Sequence, residues 1–221
     1  MQRTTTRFWL IRHAVVAPEA LAELYGQRDV PVCGQRMVTD QPRYAYLARA
    51  LPRDAHWLVT PLSRTHRTAE AISQAGYGTT ELTIEPDLIE QSFGHWEGRS
   101  MTEFAGVRAE HPFWPIGGDA EPPGGESFAQ LRRRVGAALT KHAQTHLGAD
   151  VVAISHGGAI RAAVAHALDL TAHQALSVAI ENLSLTVLEY HTGWHPTPAV
   201  TPAAIAAGAW RTVTINEHSA I

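Results

Sequence analysis

Short apolar runs alternate with longer amphipathic stretches along most of this chain. The short runs predict six strands, at Phe8–His13, His56–Thr60, Thr80–Ile84, Val151–Ser155, Ser184–Tyr190 and Trp210–Ile215. The longer stretches predict four helices, at Arg43–Leu51, from Pro61 to about Ala75, from Ser127 to Gly148, and at Gly157–Leu168. Strands that alternate with helices are typical of a largely parallel sheet with helices on both faces. The pattern therefore predicts an α/β fold in three layers, helix–sheet–helix.

Three stretches lack this periodicity and are rich in glycine and proline. Residues 14–35 and 87–99 are predicted to be irregular or loop-like. Residues 101–125 mix aromatic residues with glycine and proline pairs, and we interpret them as a lid-like insertion. No internal repeat or low-complexity segment divides the sequence, so residues 1–221 are expected to form a single domain.

The composition excludes several classes of protein. The chain has 221 residues, 45% of them hydrophobic, which is enough to bury a full core. Its single cysteine, Cys33, excludes an internal disulfide framework and fits a cytoplasmic protein. No apolar segment approaches signal-peptide or bilayer length, so neither secretion nor membrane insertion is expected. The net charge is −3, and Arg132–Arg134 is interpreted as a solvated helix face, so no nucleic-acid partner is expected.

Basic side chains and histidines gather where predicted strands end. Ligands of such sheets bind beyond the carboxyl ends of the strands. The residues at these ends are Arg12, His13, Arg64, His156, Gly157 and Gly158. Guanidinium groups match phosphate oxygens, the N–H groups of a helix start favour an anion, and the glycines allow close backbone approach. The residues themselves therefore predict a compact site for a phosphate dianion, although they do not say that a histidine is phosphorylated.

Five sequence motifs, in order, resemble those of the histidine phosphatase superfamily, which includes phosphoglycerate mutases and α-ribazole phosphatases. They are Leu10-Ile11-Arg12-His13, Thr60–Thr65 with Thr68-Ala69, Asp87–Glu90 with Phe93–Gly98, Pro123–Ser127, and Ser155–Gly158. Glu181-Asn182, before the strand that follows it, also fits this pattern. The resemblance spans nearly the whole chain and implies a fold like that of phosphoglycerate mutase.

The resemblance also implies a role for each motif residue. His13 would attack phosphorus and become phosphohistidine, and Glu90 would protonate the leaving oxygen and later accept a proton from water. Arg12, Arg64 and His156 would hold the phosphoryl oxygens, and the backbone at Gly157 would approach them. Such a mechanism needs a neutral nucleophilic imidazole and no metal or other cofactor.

Four residues depart from the family's usual pattern near the first motif. Ala14 replaces a glycine, and we expect it to adopt an ordinary backbone conformation because a left-handed one would cost alanine about 1 kcal/mol. Val15 and Val16 replace polar residues, and Glu19 stands where mutases have an asparagine near the phosphate. These changes weaken the expected binding of highly charged substrates but leave the proposed catalytic groups intact.

Several residues keep a second interpretation. Asp87, Glu97 or Glu85 could replace Glu90 as the acid, although Glu97 is better explained as structural. Asp29 is expected to form a turn through its own side chain. His142 and His146 have a spacing that can bind zinc, but without a third ligand a solvated helix face is favoured.

Four kinds of function remain open from the sequence. The leading hypothesis is a metal-independent phosphatase that hydrolyses a small phosphate monoester. The alternatives are a phosphomutase, which passes the phosphoryl group to a second acceptor, a non-catalytic module that binds a phosphorylated metabolite, and a metallohydrolase built from the other histidines. Phe104, Phe113 and Trp114 could line a pocket for an apolar leaving group, but we favour a role in covering the sheet. The sequence determines neither the physiological substrate nor the oligomeric state.

Overall fold

A six-stranded sheet organises the described part of the chain. The computed structural model describes residues 3–104, 111–114, 116–193 and 208–218. The strands are β1 (Thr4–Arg12), β2 (Ala55–Val59), β3 (Leu82–Ile84), β4 (Asp150–Ser155), β5 (Leu185–Thr192) and β6 (Ala209–Glu217). Their order in the sheet is β3-β2-β4-β1-β5-β6. In this order, β3, β2, β4 and β1 pair in parallel, whereas β5 is antiparallel to both of its neighbours, β1 and β6. The predicted, mostly parallel sheet is confirmed.

Helices cover both faces of this sheet. They are α1 (Pro18–Leu21), α2 (Gly34–Thr39), α3 (Gln41–Ala50), α4 (Ser63–Ile72), α5 (Met101–Phe104), α6 (Phe128–Thr145), α7 (Gly157–Leu168) and α8 (Ala172–Ala175). Helices α6, α7 and α8 pack into one apolar core, whereas α3 and α4 pack into another. Strand β4 supplies alternate residues to the two cores, with Ala153 on one side and Ile154 on the other. The predicted three-layer α/β architecture is confirmed.

Two local predictions need correction. The stretch 14–35 is not irregular throughout, because it contains α1 and the start of α2. Pro61 does not lie in the first turn of α4. Leu62, which follows Pro61, has an extended backbone, and the helix begins at Ser63. The carboxylate of Asp29 accepts hydrogen bonds from the Ser63 amide (2.9 Å) and hydroxyl (2.7 Å), so it caps a distant helix start. Asp29 therefore does not act through a turn of its own.

The paired histidines of α6 are not a solvated face either. His142 is 7% exposed, and its Nε2 lies 2.6 Å from Glu85 Oε2. Its ring stacks on that of His146, which in turn contacts the His56 ring at the start of β2. Burial alone would raise the pKa of Glu85, but hydrogen bonds from His142 and from the Asp87 amide lower it below its ordinary value. Glu85 thus links α6 to the segment that follows β3.

The lid-like insertion predicted at residues 101–125 is described only in part. Residues 105–110 and 115 lie outside the described residues, so the extent of the insertion and the single-domain organisation stay predictions. Of the aromatic residues in the described portion, Phe104 packs on Trp96. Within the described ranges, no helix combines the length and the apolar character that crossing a membrane requires.

A capping box fixes the start of the longest helix, α6. The Ser127 hydroxyl accepts a hydrogen bond from the Gln130 amide (3.2 Å), and the Gln130 side chain accepts one from the Ser127 amide (2.7 Å). This reciprocal pair satisfies two N–H groups that the first helical turn leaves without partners. The predicted helix start near Ser127 is therefore correct.

We predict that Ser127→Ala lowers the free energy of unfolding by about 1 kcal/mol, because one capping acceptor is lost. Chemical denaturation of wild type and variant measures this difference. Thr145→Ala, at the exposed end of the same helix, serves as the control and should change stability by less than about 0.5 kcal/mol. Equal stabilities of Ser127→Ala and wild type would contradict the role of the capping box.

Candidate active site

His13 directly follows β1 and is almost completely buried, with 1% of its surface exposed. Burial, and then the positive charges of Arg64 and Arg12, lower the pKa of its ring well below the ordinary value, so the ring is neutral. Nδ1 lies 2.7 Å from the carbonyl oxygen of Ala14, which can only accept. Nδ1 therefore carries the proton, and the lone pair of Nε2 is left for chemistry.

Ala14, whose carbonyl contacts this ring, has an ordinary backbone conformation. Among the described residues other than glycine, φ is positive only at Asp169, Leu183 and Asn216. The expectation of an ordinary conformation at Ala14 is thus confirmed. Its amide donates to the hydroxyl of Thr68 (2.8 Å), and Asn182 donates its side-chain amide to the His13 carbonyl (2.7 Å). The motif Glu181-Asn182 was recognised in the sequence, but this contact with the His13 backbone was not.

His156 is the N-cap residue of α7, and its ring centroid lies 5.1 Å from that of His13. Burial lowers its pKa well below the ordinary value, followed by the electrostatic coupling to the His13 ring, which disfavours protonation of both rings, and by the charges of Arg64 and Arg12. Arg64 Nε donates to Nδ1 (3.3 Å), so the proton of the neutral ring is on Nε2, 2.9 Å from the Thr60 hydroxyl. Both ring nitrogens therefore have protein partners, and the expected contact with a phosphoryl oxygen stays a prediction.

Arg64 is fully buried, which rules out a helix-surface charge. Besides His156, its terminal nitrogens donate to the carbonyls of Arg28 (2.8 Å) and Gly26 (2.7 Å). Burial lowers the pKa of this guanidinium, although an arginine stays charged in proteins. Each terminal nitrogen has two hydrogens, so one on each is left over for an acceptor such as an anion.

Arg12, the last residue of β1, directs one terminal nitrogen to the carbonyl of Ile180 (2.6 Å). Its Nε is buried and has no hydrogen-bond partner among the described residues. The guanidinium lies beside Gly157, where a Cβ would come within 3.4 Å of Arg12 Cζ. A buried donor without a partner is costly, so an anionic acceptor here would stabilise the site.

Glu90 reaches the same site from the loop after β3. It is 8% exposed, and its two carboxylate oxygens accept hydrogen bonds from the amides of Gln91 (2.9 Å) and Gly158 (3.1 Å). A Cβ on Gly158 would overlap with Glu90 Oε1, whereas one on Gly157 would make an ordinary contact. Within the protein, the close contact of this glycine pair is therefore that of Gly158 with the Glu90 carboxylate. The expected approach of the Gly157 backbone to a phosphoryl oxygen stays a prediction.

The other candidate acids are occupied elsewhere. Glu97 Oε1 accepts from the amides of Gln27 (3.1 Å) and Phe93 (3.0 Å), which supports the structural interpretation. Glu85 is bound to His142, and the side chain of Asp87 is exposed. Of the four candidates, Glu90 is the one that lines the cleft beside Arg12 and Gly157.

Arg134 holds the loop that carries Glu90. The sequence analysis did not predict this role of Arg134. Its guanidinium donates to the carbonyls of Asp87 (2.8 Å), Ile89 (3.2 Å) and Glu90 (3.3 Å), and it forms an ion pair with Glu126 (2.5 Å). Interpreting Arg132–Arg134 as one solvated face was therefore wrong for Arg134, because α6 directs this side chain at the loop. The helical spacing of the arginines alone does not reveal that contact.

A cleft of about 280 Å³ opens beside these groups. Its polar lining includes Arg12, Glu90 and Arg161, and its apolar lining includes Phe113 and Trp114. The favoured role for these two aromatic residues, covering the sheet, holds in part for Trp114, which lines the cleft and also packs against the apolar core. It is wrong for Phe113, which lines the cleft and is 67% exposed. Arg161 was not singled out from the sequence, although it lies five residues after His156, on the helix that begins within the motif Ser155–Gly158.

The replacements after Ala14 lie away from the cleft. Val16 is buried and packs with Ala20 and Val30, and Glu19 is exposed on α1. The acidic residue of this region that lines the cleft is Glu23, which forms an ion pair with Arg28 (2.5 Å).

Within the described ranges, no three histidine, cysteine, aspartate or glutamate side chains are grouped so that they could hold a metal ion.

Comparison with known proteins gives one family match. The profile of the histidine phosphatase superfamily (branch 1) matches residues 8–196. Bifunctional protein Rv2228c of Mycobacterium tuberculosis is 31% identical over 133 residues, 60% of this chain but 36% of that protein. The chain thus matches about a third of the length of that relative. The protein named probable phosphoglycerate mutase GpmB of Yersinia pestis is 28% identical over 84% of this chain and 88% of its own length.

Solved structures share the fold at lower sequence identity. Mycobacterial glucosyl-3-phosphoglycerate phosphatase superposes with a TM-score of 0.77 at 20% identity, covering 96% of this chain and 99% of that chain. The α-ribazole phosphatase of Shigella flexneri superposes with a TM-score of 0.70 at 19% identity, covering 96% of each chain. At these identities the likeness concerns the fold alone.

We predict that His13 stays neutral when the pH falls well below the ordinary pKa of a histidine. A histidine takes up its proton as the pH falls through its pKa, so His13 should remain neutral at about pH 5.5, where an unperturbed histidine with a pKa of about 6.5 is mostly protonated. NMR titration of the imidazole nitrogens in the free protein measures this, and the resonances missing from His13→Gln assign the signal. Protonation of His13 at or above pH 6.5 would contradict the electrostatic description of the site.

Proposed function

Because the chain belongs to branch 1 of the histidine phosphatase superfamily, we propose that it hydrolyses small phosphate monoesters through a phosphohistidine formed on His13, without a metal ion. The observation that carries this proposal is the state of the His13 ring. The ring is neutral, its Nδ1–H is held by the Ala14 carbonyl, and its Nε2 is without a proton. That is the state in which an imidazole acts as a nucleophile.

The first proposed step transfers the phosphoryl group to His13. The Nε2 lone pair attacks phosphorus, the bond between phosphorus and the ester oxygen breaks, and the Glu90 carboxyl gives its proton to the departing oxygen. The guanidiniums of Arg12 and Arg64 stabilise the negative charge on the phosphoryl oxygens. These fixed positive charges need no reorganisation during the reaction, which is how preorganised sites lower a barrier.

The second proposed step returns the site to its starting state. The Glu90 carboxylate accepts a proton from water, the oxygen of that water attacks phosphorus, and the bond between phosphorus and Nε2 breaks. Inorganic phosphate leaves, and the Glu90 carboxyl is protonated again. The hydrogen bonds from the Gln91 and Gly158 amides keep the carboxylate at the cleft, where both the leaving oxygen and the water would lie.

A phosphomutase is the second candidate, and the similarity to the GpmB protein of Yersinia pestis favours keeping it. It would use the same first step and then pass the phosphoryl group to a hydroxyl of a second acceptor. The two phosphatases among the similar structures support hydrolysis. Release of inorganic phosphate from a monoester, without a bisphosphate primer, favours hydrolysis, whereas transfer that requires such a primer favours the mutase.

We predict that His13→Ala lowers hydrolysis of p-nitrophenyl phosphate by about a thousandfold or more, since the nucleophile is lost. Wild type should keep its rate in EDTA, and His56→Ala, at the exposed start of β2, should behave as wild type. Equal rates for wild type and His13→Ala would remove His13 from the mechanism. Loss of the wild-type rate in EDTA would favour a metallohydrolase, and phosphate binding without any turnover would favour the binding module.

We also predict that Gly158→Ala displaces the Glu90 carboxylate, with which the added methyl group would overlap. For an alkyl phosphate, kcat should fall by about 100-fold or more, the contribution of a positioned general acid. The fall should be smaller for p-nitrophenyl phosphate, whose leaving group needs little protonation. Gly34→Ala is the control, because a Cβ there would meet no atom within 4 Å. Unchanged hydrolysis of the alkyl ester by Gly158→Ala would argue against Glu90 as the acid.

A further inference from the structure

Arg161 has a fixed position at the cleft that the proposed chemistry does not use. It lies on α7, and its Nε donates to the carbonyl of Val178 (2.6 Å). Its Cζ lies over the Trp114 ring, 4.5 Å from the ring centroid. Trp114 is in turn held by a hydrogen bond from its Nε1 to Gln91 Oε1 (3.1 Å). The protein therefore holds this guanidinium through one hydrogen bond and one cation–π contact.

The remaining donors of Arg161 have no acceptor in the part of the chain that the structure describes. Neither terminal nitrogen forms a hydrogen bond there, and no carboxylate there forms an ion pair with the group. By contrast, the terminal nitrogens of Arg64 both donate to backbone carbonyls. Arg161 thus presents its terminal amino groups to the cleft that Arg12, Glu90 and Gly157 also line.

The electrostatic surroundings of Arg161 favour an anion. Burial lowers the pKa of this guanidinium to about 10, and the negative charge of Glu90 only partly opposes that effect. A buried cation without a paired counter-ion is destabilised by desolvation, and an anion that binds it would remove this cost. A guanidinium held by a hydrogen bond at Nε and by a cation–π contact is also preorganised for a two-point contact of its terminal nitrogens with a carboxylate or phosphate.

We infer that Arg161 determines specificity by binding an anionic substituent, a carboxylate or a second phosphate, on the leaving group of the substrate. The inference rests on the proposed function, because it assumes that the phosphoryl group binds at Arg12 and His13. The leaving group then occupies the cleft between Glu90 and the aromatic residues Phe113 and Trp114. Arg161 lies at this same cleft, so an anionic group on the departing alcohol would meet its terminal nitrogens.

Binding of non-hydrolysable phosphonates tests this role without requiring turnover. The probes are phosphonoacetate, 3-phosphonopropionate and 4-phosphonobutyrate, each compared by calorimetry with its carboxamide, and bisphosphonates of the same chain lengths. At one chain length, wild type should bind the carboxylate or the second phosphonate about 10- to 100-fold more tightly than the amide, as expected for a charge-assisted hydrogen bond. The two anionic series distinguish a carboxylate from a phosphate substituent.

Arg161→Met should bring the affinity ratio of acid to amide close to one. Arg133→Met, an exposed arginine on α6, should keep the wild-type ratio. If Arg161→Met does not fold, Arg161→Gln replaces it, because glutamine keeps a donor for the Val178 carbonyl but has no charge. The matching phosphate esters, assayed for kcat/KM, should show the same change in ratio.

Two results would overturn the inference. They are the absence of any preference for the acid in wild type, and a preference that persists in the Arg161 variant. If the preference persists while the affinities for acid and amide fall equally, Arg161 is an anchor for Trp114 only. Failure of wild type to hydrolyse any ester would count against the proposed function, whereas the phosphonate affinities would still decide the role of Arg161.

Discussion

The parallel pairing of β1 with β4 is the constraint on which the site depends. Arg12 lies opposite Ser155 in this pairing, and the His13 amide donates to the Ser155 carbonyl (2.9 Å). The two strands therefore end together, and His13 and His156 follow them at the same edge of the sheet. Side chains alternate between the faces of a strand, so a shift of one residue would send the Arg12 side chain to the opposite face. The two helix layers stabilise this register by burying both faces of the central strands.

Two guanidiniums, that of the fully buried Arg64 and that of the partly buried Arg12, follow from this arrangement and govern the electrostatics of the site. Arg64 is held by the carbonyls of Gly26 and Arg28, and Arg12 by the carbonyl of Ile180. These partners are dipoles and not carboxylates, so the positive charges stay available to an anion. The same charges, added to burial, keep His13 and His156 neutral. One set of interactions thus supplies both the positive charge that a phosphoryl group would meet and the protonation state of the proposed nucleophile.

Helix α7 connects the rest of the site. Its N-cap residue is His156, its first turn supplies the Gly158 amide that binds Glu90, and its next turn presents Arg161 to the cleft. The free N–H groups of a helix start favour negative charge, which suits both a carboxylate and a phosphate. Arg134, on α6, holds the Glu90 loop from the other side through three backbone carbonyls. Glu90 is therefore positioned by two helices that are distant in sequence from its own loop.

The amino-acid sequence by itself determined the six strands, the four longest helices, the mostly parallel sheet and the strand ends at the candidate site, but not the short helices α1, α2, α5 and α8. The predicted features follow from local periodicity and from motifs whose residues are close in sequence, such as Arg12-His13 and Ser155–Gly158. Only the tertiary structure decided how individual side chains are used. Packing between distant segments brings Arg134 to the Glu90 loop, buries His142 against Glu85, and makes Gly158 the glycine that contacts the carboxylate. Such contacts depend on how helices pack in three dimensions, which the spacing of residues along one helix does not encode.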